Sequence, residues 1–427
     1  MKKFNFFLDS IFTTMLLFFG IGLISQIPMG DMINPVKKMF GDFELTDIVF
    51  SRMRESKNYD DRVTLVNIGN MSRAQIAEQI EIINQFHPKV IGIDAFFMNP
   101  KDHVGDSALC SAFSKVDNLV LVSELIRNTS TGGVDHIKTS HPMFMKYAHS
   151  GFADLNTEGR DIFKTSRVCI PKDKIGNLIY YSFPTMLATL YDRTKAKKYL
   201  DRNLDIEIIN FQRNIDIKKD ITADFNNLGI AALDHQEVFK ADFDGESIIK
   251  DKIVVMGFMG DDFNDPAWID KFFTPANNNY VGKTYPDMFG VVVHANILSM
   301  ILNGDFINVM PDKLNIILSI LFVFLNVWFI TYCYHKFKDW YDGAANLFIF
   351  CESLMLILLL IFVFKNFNYK FDLVLLVVCL FLIVHFIEFY QGIIKVAIKK
   401  LAIKNYKGEN QSLKGTPQVI IPSGNFD

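Results

Sequence analysis

Three apolar segments of about twenty residues, Leu314–Tyr334, Ala344–Phe364 and Phe371–Gln391, stand in tandem towards the end of the sequence. At about 1.5 Å of rise per residue, each helix reaches across a hydrocarbon core of about 30 Å. A fourth run, Ile11–Ile27, follows Lys2 and Lys3 and ends in GLISQIPMG, without a small-x-small cleavage pattern. It reads as an uncleaved signal anchor. His335, Lys336 and Lys338 separate the first two tail segments, and Lys395, Lys399, Lys400 and Lys404 follow the third. With both basic groups in the cytoplasm, the chain has four spans and both termini inside an inner (cytoplasmic) membrane, with residues 30–311 outside. Half of the residues are hydrophobic and the 41 phenylalanines gather at the two ends, as this arrangement requires. A net charge of -3 gives no reason to expect a nucleic-acid partner.

The boundaries that follow are 1–29 for the anchor, 30–311 for an extracytoplasmic domain, 312–392 for a three-helix bundle and 393–427 for a basic helix and tail. Within the domain, Val63–Ile68 is a short β-branched run ending at Gly69. Apolar residues then recur at Ile76, Ile80, Ile83 and Phe86, the period of an amphipathic helix. Ser72 and Gln75 have the spacing of a capping box. After Pro88, a second apolar run, Lys89–Ile93, ends at Asp94. Strand, helix and strand in this span predict a βαβ unit with a parallel strand pair. Further strands are expected at Asn118–Val122, Gly151–Leu155, Thr165–Ile170, Ile206–Phe211 and Lys252–Val255. Helices are expected at Ser107–Ser114, Ser182–Asp192 and Gly290–Asn303. The fold class is therefore an α/β extracytoplasmic domain with a largely parallel sheet, plus four transmembrane helices.

Open α/β sheets bind ligands at the carboxyl ends of their strands. That edge selects Asn67, Asn70 and Asp94 as candidate ligand contacts. GDDFND at 260–265 offers Asp261, Asp262 and Asp265 as oxygen donors of the kind that Ca²⁺ takes. The string lacks the glycine and distal glutamate of an EF-hand loop, and no cofactor is expected. Cys110 and Cys169, the two cysteines of the polar middle, could be joined by a disulfide in an oxidising compartment or remain free thiols. No phosphate loop, G-x-S-x-G, H-E-x-x-H or kinase string is present, so no enzyme is expected.

Several strings, in order, resemble the second type of CHASE domain, the cyclase- and histidine-kinase-associated sensory extracellular family. They are DIVFSRMRE at 47–55, VTLVNIG at 63–69, VIGIDAFF at 90–97, GFADLNTEGR at 151–160, IKDKIVVMG at 249–257 and the Thr274-Pro275 pair. GVVVHANILSMILNG at 290–304 resembles the family's closing helix, which adds His294 to the candidate ligand contacts. Gly69 stands where the family usually has an acidic residue, and a Trp-Pro-x-x-Arg string is missing before the first long helix. Family members commonly continue into a cyclase, kinase or other output domain. Only a short tail follows Gln391, so the resemblance implies a receptor that signals through a separate membrane or cytoplasmic effector. The alternative is an assembly subunit of an envelope complex, whose partner is an envelope protein or a second copy of the chain.

Glu352 and His385 interrupt the second and third tail segments at similar depth. Intramembrane ionisable groups face protein and find partners, so the two are expected to face protein and to pair with each other, with Ser353 or with a partner subunit. In GIIKVAIKKLAIKNY, Ile394, Ala397, Ile398 and Leu401 form one helix face, and Lys395, Lys399, Lys400 and Lys404 another. The lysines are assigned to the anionic headgroups of the lipid bilayer.

Overall fold

A computed structural model describes residues 2–25, 45–54, 60–128, 132–158, 165–212, 214, 230–263, 265, 268–277, 285–337, 341–371, 374–401 and 403–404. Arg160, Asn264 and the tail beyond Lys404 lie outside the described residues. The chain divides into two compact units: Met1–Met32 with Val309–Leu360 and Lys370–Asp427, and Ile33–Asn308 with Ile361–Tyr369.

In chain order the elements begin with α1 (Lys2–Ser25) and the helical turns Leu45–Ile48 and Val49–Met53. Then come β1 (Val63–Asn67), α2 (Arg73–Asn84), β2 (Val90–Asp94), α3 (His103–Phe113), β3 (Leu119–Arg127), β4 (Val134–Thr139) and β5 (His149–Phe152). The domain is completed by α4 (Phe183–Tyr191), α5 (Arg193–Leu200), β6 (Ala231–Leu233), β7 (Ile253–Gly257) and α6 (Gly290–Asn303). The last helices are α7 (Asp312–Lys336), α8 (Tyr341–Phe367) and α9 (Val374–Phe389).

The seven-stranded sheet runs β6-β1-β7-β2-β3, and β3 then pairs with β4 along one half and β5 along the other. All of these pairings are parallel except β3–β4. The βαβ reading is corrected in one respect: β1 and β2 are parallel but not neighbours, because β7 returns between them. Periodicity fixes each strand locally and carries no information on strand order. The central strands are apolar on both faces, as a doubly covered parallel sheet demands. Val66, Ile91, Ile93, Val254 and Met256 pack with α2 and α3, while Val63, Leu65, Val90, Ile253 and Val255 pack with α4 and α6.

Helix α2 starts as expected: the Gln75 N–H donates to Ser72 Oγ (3.4 Å) and the Ser72 N–H donates to Gln75 Oε1 (3.0 Å). Ser72→Ala is expected to cost about 1 kcal/mol in denaturant unfolding; an unchanged midpoint would show that the cap contributes nothing. Helix α6 is buried from Gly290 to Leu302 and ends at Gly304, whose φ of +66° is the left-handed geometry a glycine cap supplies. Cys110 and Cys169 are free thiols, which settles the open disulfide question. The strand expected at Ile206–Phe211 shrinks to Glu207–Ile208, paired with Thr165–Cys169.

In the other unit, Leu17 of α1 joins Val323, Val327 and Ile330 of α7, Ile349 of α8, and Leu380, Ile383 and Val384 of α9 in one apolar cluster. Among the described residues, four helices are long and apolar enough to cross a membrane: they span Phe6–Leu23, Asp312–Lys336, Gly343–Phe367 and Leu376–Leu401. The expected Glu352–His385 pair is not formed. Asn326 on α7 donates to Glu352 Oε1 at 3.0 Å, and His385 is on an exposed face of α9. Equal depth does not set helix rotation, and the 3.6-residue turn puts the two side chains on different faces. Lys395 is also corrected. Its amine is bonded to Asp9 of α1 rather than left to headgroups, whereas Lys399, Lys400 and Lys404 are exposed.

Candidate functional site

The strand register places Asn67, Gly257 and Asp94 in one row across the carboxyl ends of β1, β7 and β2. Asn67 is fully buried, with every valence of its amide used. Nδ2 donates to Asp234 Oδ1 (2.9 Å) and the Gly260 carbonyl (3.0 Å), and Oδ1 accepts from the Gly69 and Met259 N–H groups (both 2.9 Å). It ties the loops after three strands together and has no capacity left for a ligand. Asn70 is exposed and donates to Asp261.

Gly257 decides what reaches this edge. A Cβ there would fall 2.9 Å from Val291 Cβ and 3.2 Å from Asp94 Cβ, so only glycine lets α6 close on the strand ends. Through this approach His294, on the first turns of α6, comes to Asp94: Nε2 lies 3.8 Å from Asp94 Oδ2. That separation is too long for a hydrogen bond. The His294 side chain is 3% exposed and that of Asp94 17%. The imidazole meets the Phe183 ring edge-on at 5.5 Å, and its Nδ1 has no hydrogen-bond partner. Asp94 and His294 are independent candidates in the sequence, and the fold brings them together.

Burial dominates the electrostatics. It pushes the Asp94 carboxyl up to about 8, helped by the nearby charge of Asp270. It pushes His294 down to about 4, against a smaller opposing effect of the Ala153 backbone. Both groups are therefore neutral at pH 7 and do not form an ion pair. Asp270 comes from a loop without periodicity and was not selected from the sequence; its backbone carbonyl accepts from the N–H of Gly290, the first residue of α6. Asp287, pushed up to about 7 by burial, accepts from the Thr274 N–H (2.8 Å) and Thr274 Oγ1 (2.6 Å). These two bonds fix the Thr274-Pro275 turn.

The acidic loop is engaged within itself. The Asp261 N–H donates to Asp265 Oδ2 at 3.0 Å, and Lys271 Nζ donates to the Asp265 carbonyl at 2.5 Å. Among the described residues, no three His, Cys, Asp or Glu side chains converge to hold a metal ion. A separate cavity of about 470 Å³, lined by Asp102, His103, Asp106, Cys110 and Met143 among others, opens at the start of α3. Its buried acid, Asp106, is occupied by Arg73. Among the described residues no nucleophilic side chain is hydrogen-bonded to His294, so this edge can bind and exchange protons but lacks a nucleophile–base pair.

A doubly covered parallel sheet, closed by an apolar helix and accompanied by four membrane-length helices among the described residues, defines the class as an α/β domain carried on a chain of membrane-length helices. The CHASE2 domain family matches residues 45–331, and the chain belongs to that family of sensory extracellular domains. Neither a curated protein nor a solved structure matches the chain.

Proposed function

We propose that the chain is a multi-pass inner-membrane sensory module that recognises a ligand at the carboxyl edge of its sheet and signals through a separate effector chain. The observation that carries this reading is the pair Asp94–His294. Two titratable, mutually unbonded groups, His294 buried and Asp94 mostly so, join the sheet edge to α6, and α6 leads along the chain into α7. A ligand supplying a hydrogen-bond donor or a cation to Asp94 displaces its proton and favours one position of α6. Differential binding of that kind is what any switch requires. The basic residues after α7 and α9 support cytoplasmic termini. The grouping of Ile361–Tyr369 with the α/β unit supports placing that hairpin end on the domain's side.

A second reading, recognition of an envelope protein in an assembly, is favoured by one surface. Trp268, Ile269 (66% exposed) and Tyr285 (75% exposed) offer aromatic and aliphatic area to solvent, with Trp268 edge-on to Tyr285 at 5.7 Å. One experiment separates the two. The full-length protein in detergent is screened for thermal stabilisation by small molecules and, in parallel, purified from its native membrane with whatever accompanies it. The sensory reading expects a stabilising small molecule whose effect is lost in Asp94→Asn and His294→Phe. It is overturned by a stoichiometric protein partner that Asp94→Asn retains and Ile269→Glu releases.

A further inference from the structure

One polar node in the α/β unit joins three separate stretches of chain, two of which adjoin membrane-length helices in sequence. The first is Val49–Met53, whose next residue, Arg54, lies over the Phe50 ring at 4.5 Å and the Phe364 ring at 5.4 Å. The second is the stretch after α6, represented by Asp305, which stands between α6 and α7. The third is the turn between α8 and α9, represented by Asn368. Arg54 donates to Asn368 Oδ1 at 2.7 Å and also to Asn210 Oδ1. Asn368 Nδ2 donates to Asp305 Oδ1 at 2.6 Å, while the Asn308 N–H donates to the Asn368 carbonyl at 2.8 Å. Asn210 Nδ2 closes the ring on the Asp305 carbonyl at 2.8 Å, and Gln212 adds a bond to its carboxylate.

Phe364, from the last turns of α8, is 3% exposed and belongs to the same apolar cluster as Phe50, Phe211 and α6. The end of α8 is thus part of the domain's core, and Ile361–Tyr369 is grouped with this unit. A turn between two membrane helices needs no such anchoring, since water can satisfy its backbone. Burial also pulls the Arg54 guanidinium down to about 10, against the attraction of Asp305. A buried cation deprived of its partners is costly, so the node holds or opens as one element.

We infer that Arg54, Asn368 and Asp305 form the element that couples the sensory domain to its membrane helices, with Asn368 the positioning residue that carries movement of α6 into the α8–α9 hairpin. The direction of the signal rests on the sensory reading above; the existence of the node does not. A shift of α6 moves Asp305, which either carries Asn368 with it or releases it and leaves Arg54 to Asn210 alone.

The test is hydrogen exchange on the full-length chain in nanodiscs, followed in peptides covering 45–54, 300–310 and 361–371. Asn368→Ala is expected to raise exchange about tenfold in all three together, as loss of a shared cooperative contact does, while β1 and β2 stay at wild-type rates. Arg54→Lys keeps the charge but not the fork that reaches two amides, and should give the same three-segment pattern at smaller amplitude. An increase confined to 361–371 in both variants would overturn the inference. Asp94→Asn supplies the second arm. It is expected to alter exchange in 300–310 and 361–371 of the wild type, but only in 300–310 once Asn368→Ala is present. If Asp94→Asn changes neither segment, the sensory reading fails, and the three-segment comparison still decides the node.

Discussion

Replacing Asp94 with Asn raises the stability of the folded chain at pH 7 to 8 and flattens its dependence on pH. The sign follows from linkage. The folded carboxyl titrates at about 8, whereas an unfolded aspartate titrates at about 3.9. Between these values the folded state keeps a proton that the unfolded state has released. Stability is therefore full below the lower value and falls as pH rises, by up to about 1.4 kcal/mol per pH unit. Asp287, pushed up to about 7, contributes a slope of the same sign that ends one unit earlier. His294 acts the other way. Its folded value of about 4 lies below the ordinary imidazole value of about 6.5, so it adds stability as pH rises through that window. Below pH 6.5 the wild type therefore shows a muted decline, and between 7 and 8 the decline belongs to Asp94, coupled to Asp270. The Asn variant should lose that last decline, read as unfolding temperature of the detergent-solubilised chain at pH 5, 7 and 8. A variant whose profile runs parallel to the wild type would mean that Asp94 is not buried in its neutral form. The same proton is what a cationic or donor ligand would displace, which ties this stability measurement to recognition.

What the sequence discloses here is what is local. The Val63–Asn67 and Val90–Asp94 strands, the Ser72–Gln75 cap and the Gly290–Asn303 helix with its Gly304 stop are each specified by neighbours within a turn or two. Their edge residues Asn67 and Asp94 could be placed at strand ends for the same reason. Strand order could not, because the place of β7 between β1 and β2 is decided by packing against helices far away in sequence. The different surroundings of Asn67 and Asp94 also depend on distant partners: Asp234, Met259 and Gly260 saturate the amide, whereas Asp94 meets His294. The Val134–Thr139 strand is not legible in the sequence because VDHIKT is largely exposed and polar, with no apolar face to announce it. Glu352 and His385 show the same limit in the membrane, where apolar runs define length and say little about which side of a helix meets protein.

Replacing Lys395 with Met is expected to destabilise the four-helix unit by about 3–5 kcal/mol, the cost of stranding one member of a buried ion pair. Asp9 is a buried carboxylate within the first apolar helix, and Lys395 is its cationic partner. Tyr390 Oη donates to Asp9 Oδ1 at 3.3 Å and Gln391 Nε2 to Asp9 Oδ2 at 3.4 Å. The helix carries a π-turn at Tyr390–Ile394, and this widened turn brings residues 390, 391 and 395 to the same carboxylate. Counting lysines from the sequence assigns Lys395 to the headgroups with Lys399, Lys400 and Lys404, because nothing local distinguishes it. The distinction lies in Asp9, nearly four hundred residues away. If the loss in Lys395→Met comes from the stranded carboxylate, then Asp9→Asn in the same chain should recover most of it, since a neutral amide can still accept from Gln391 through its oxygen and donate to the Tyr390 hydroxyl through its NH2 group. Unfolding in mixed detergent micelles measures both variants. Equal stability of Lys395→Met and the Asp9→Asn/Lys395→Met double variant would show that the lysine acts through packing of its stem and not through charge. Recovery would instead make Asp9 the point at which the N-terminal anchor is fastened to the end of the last span, so that the anchor moves with the bundle.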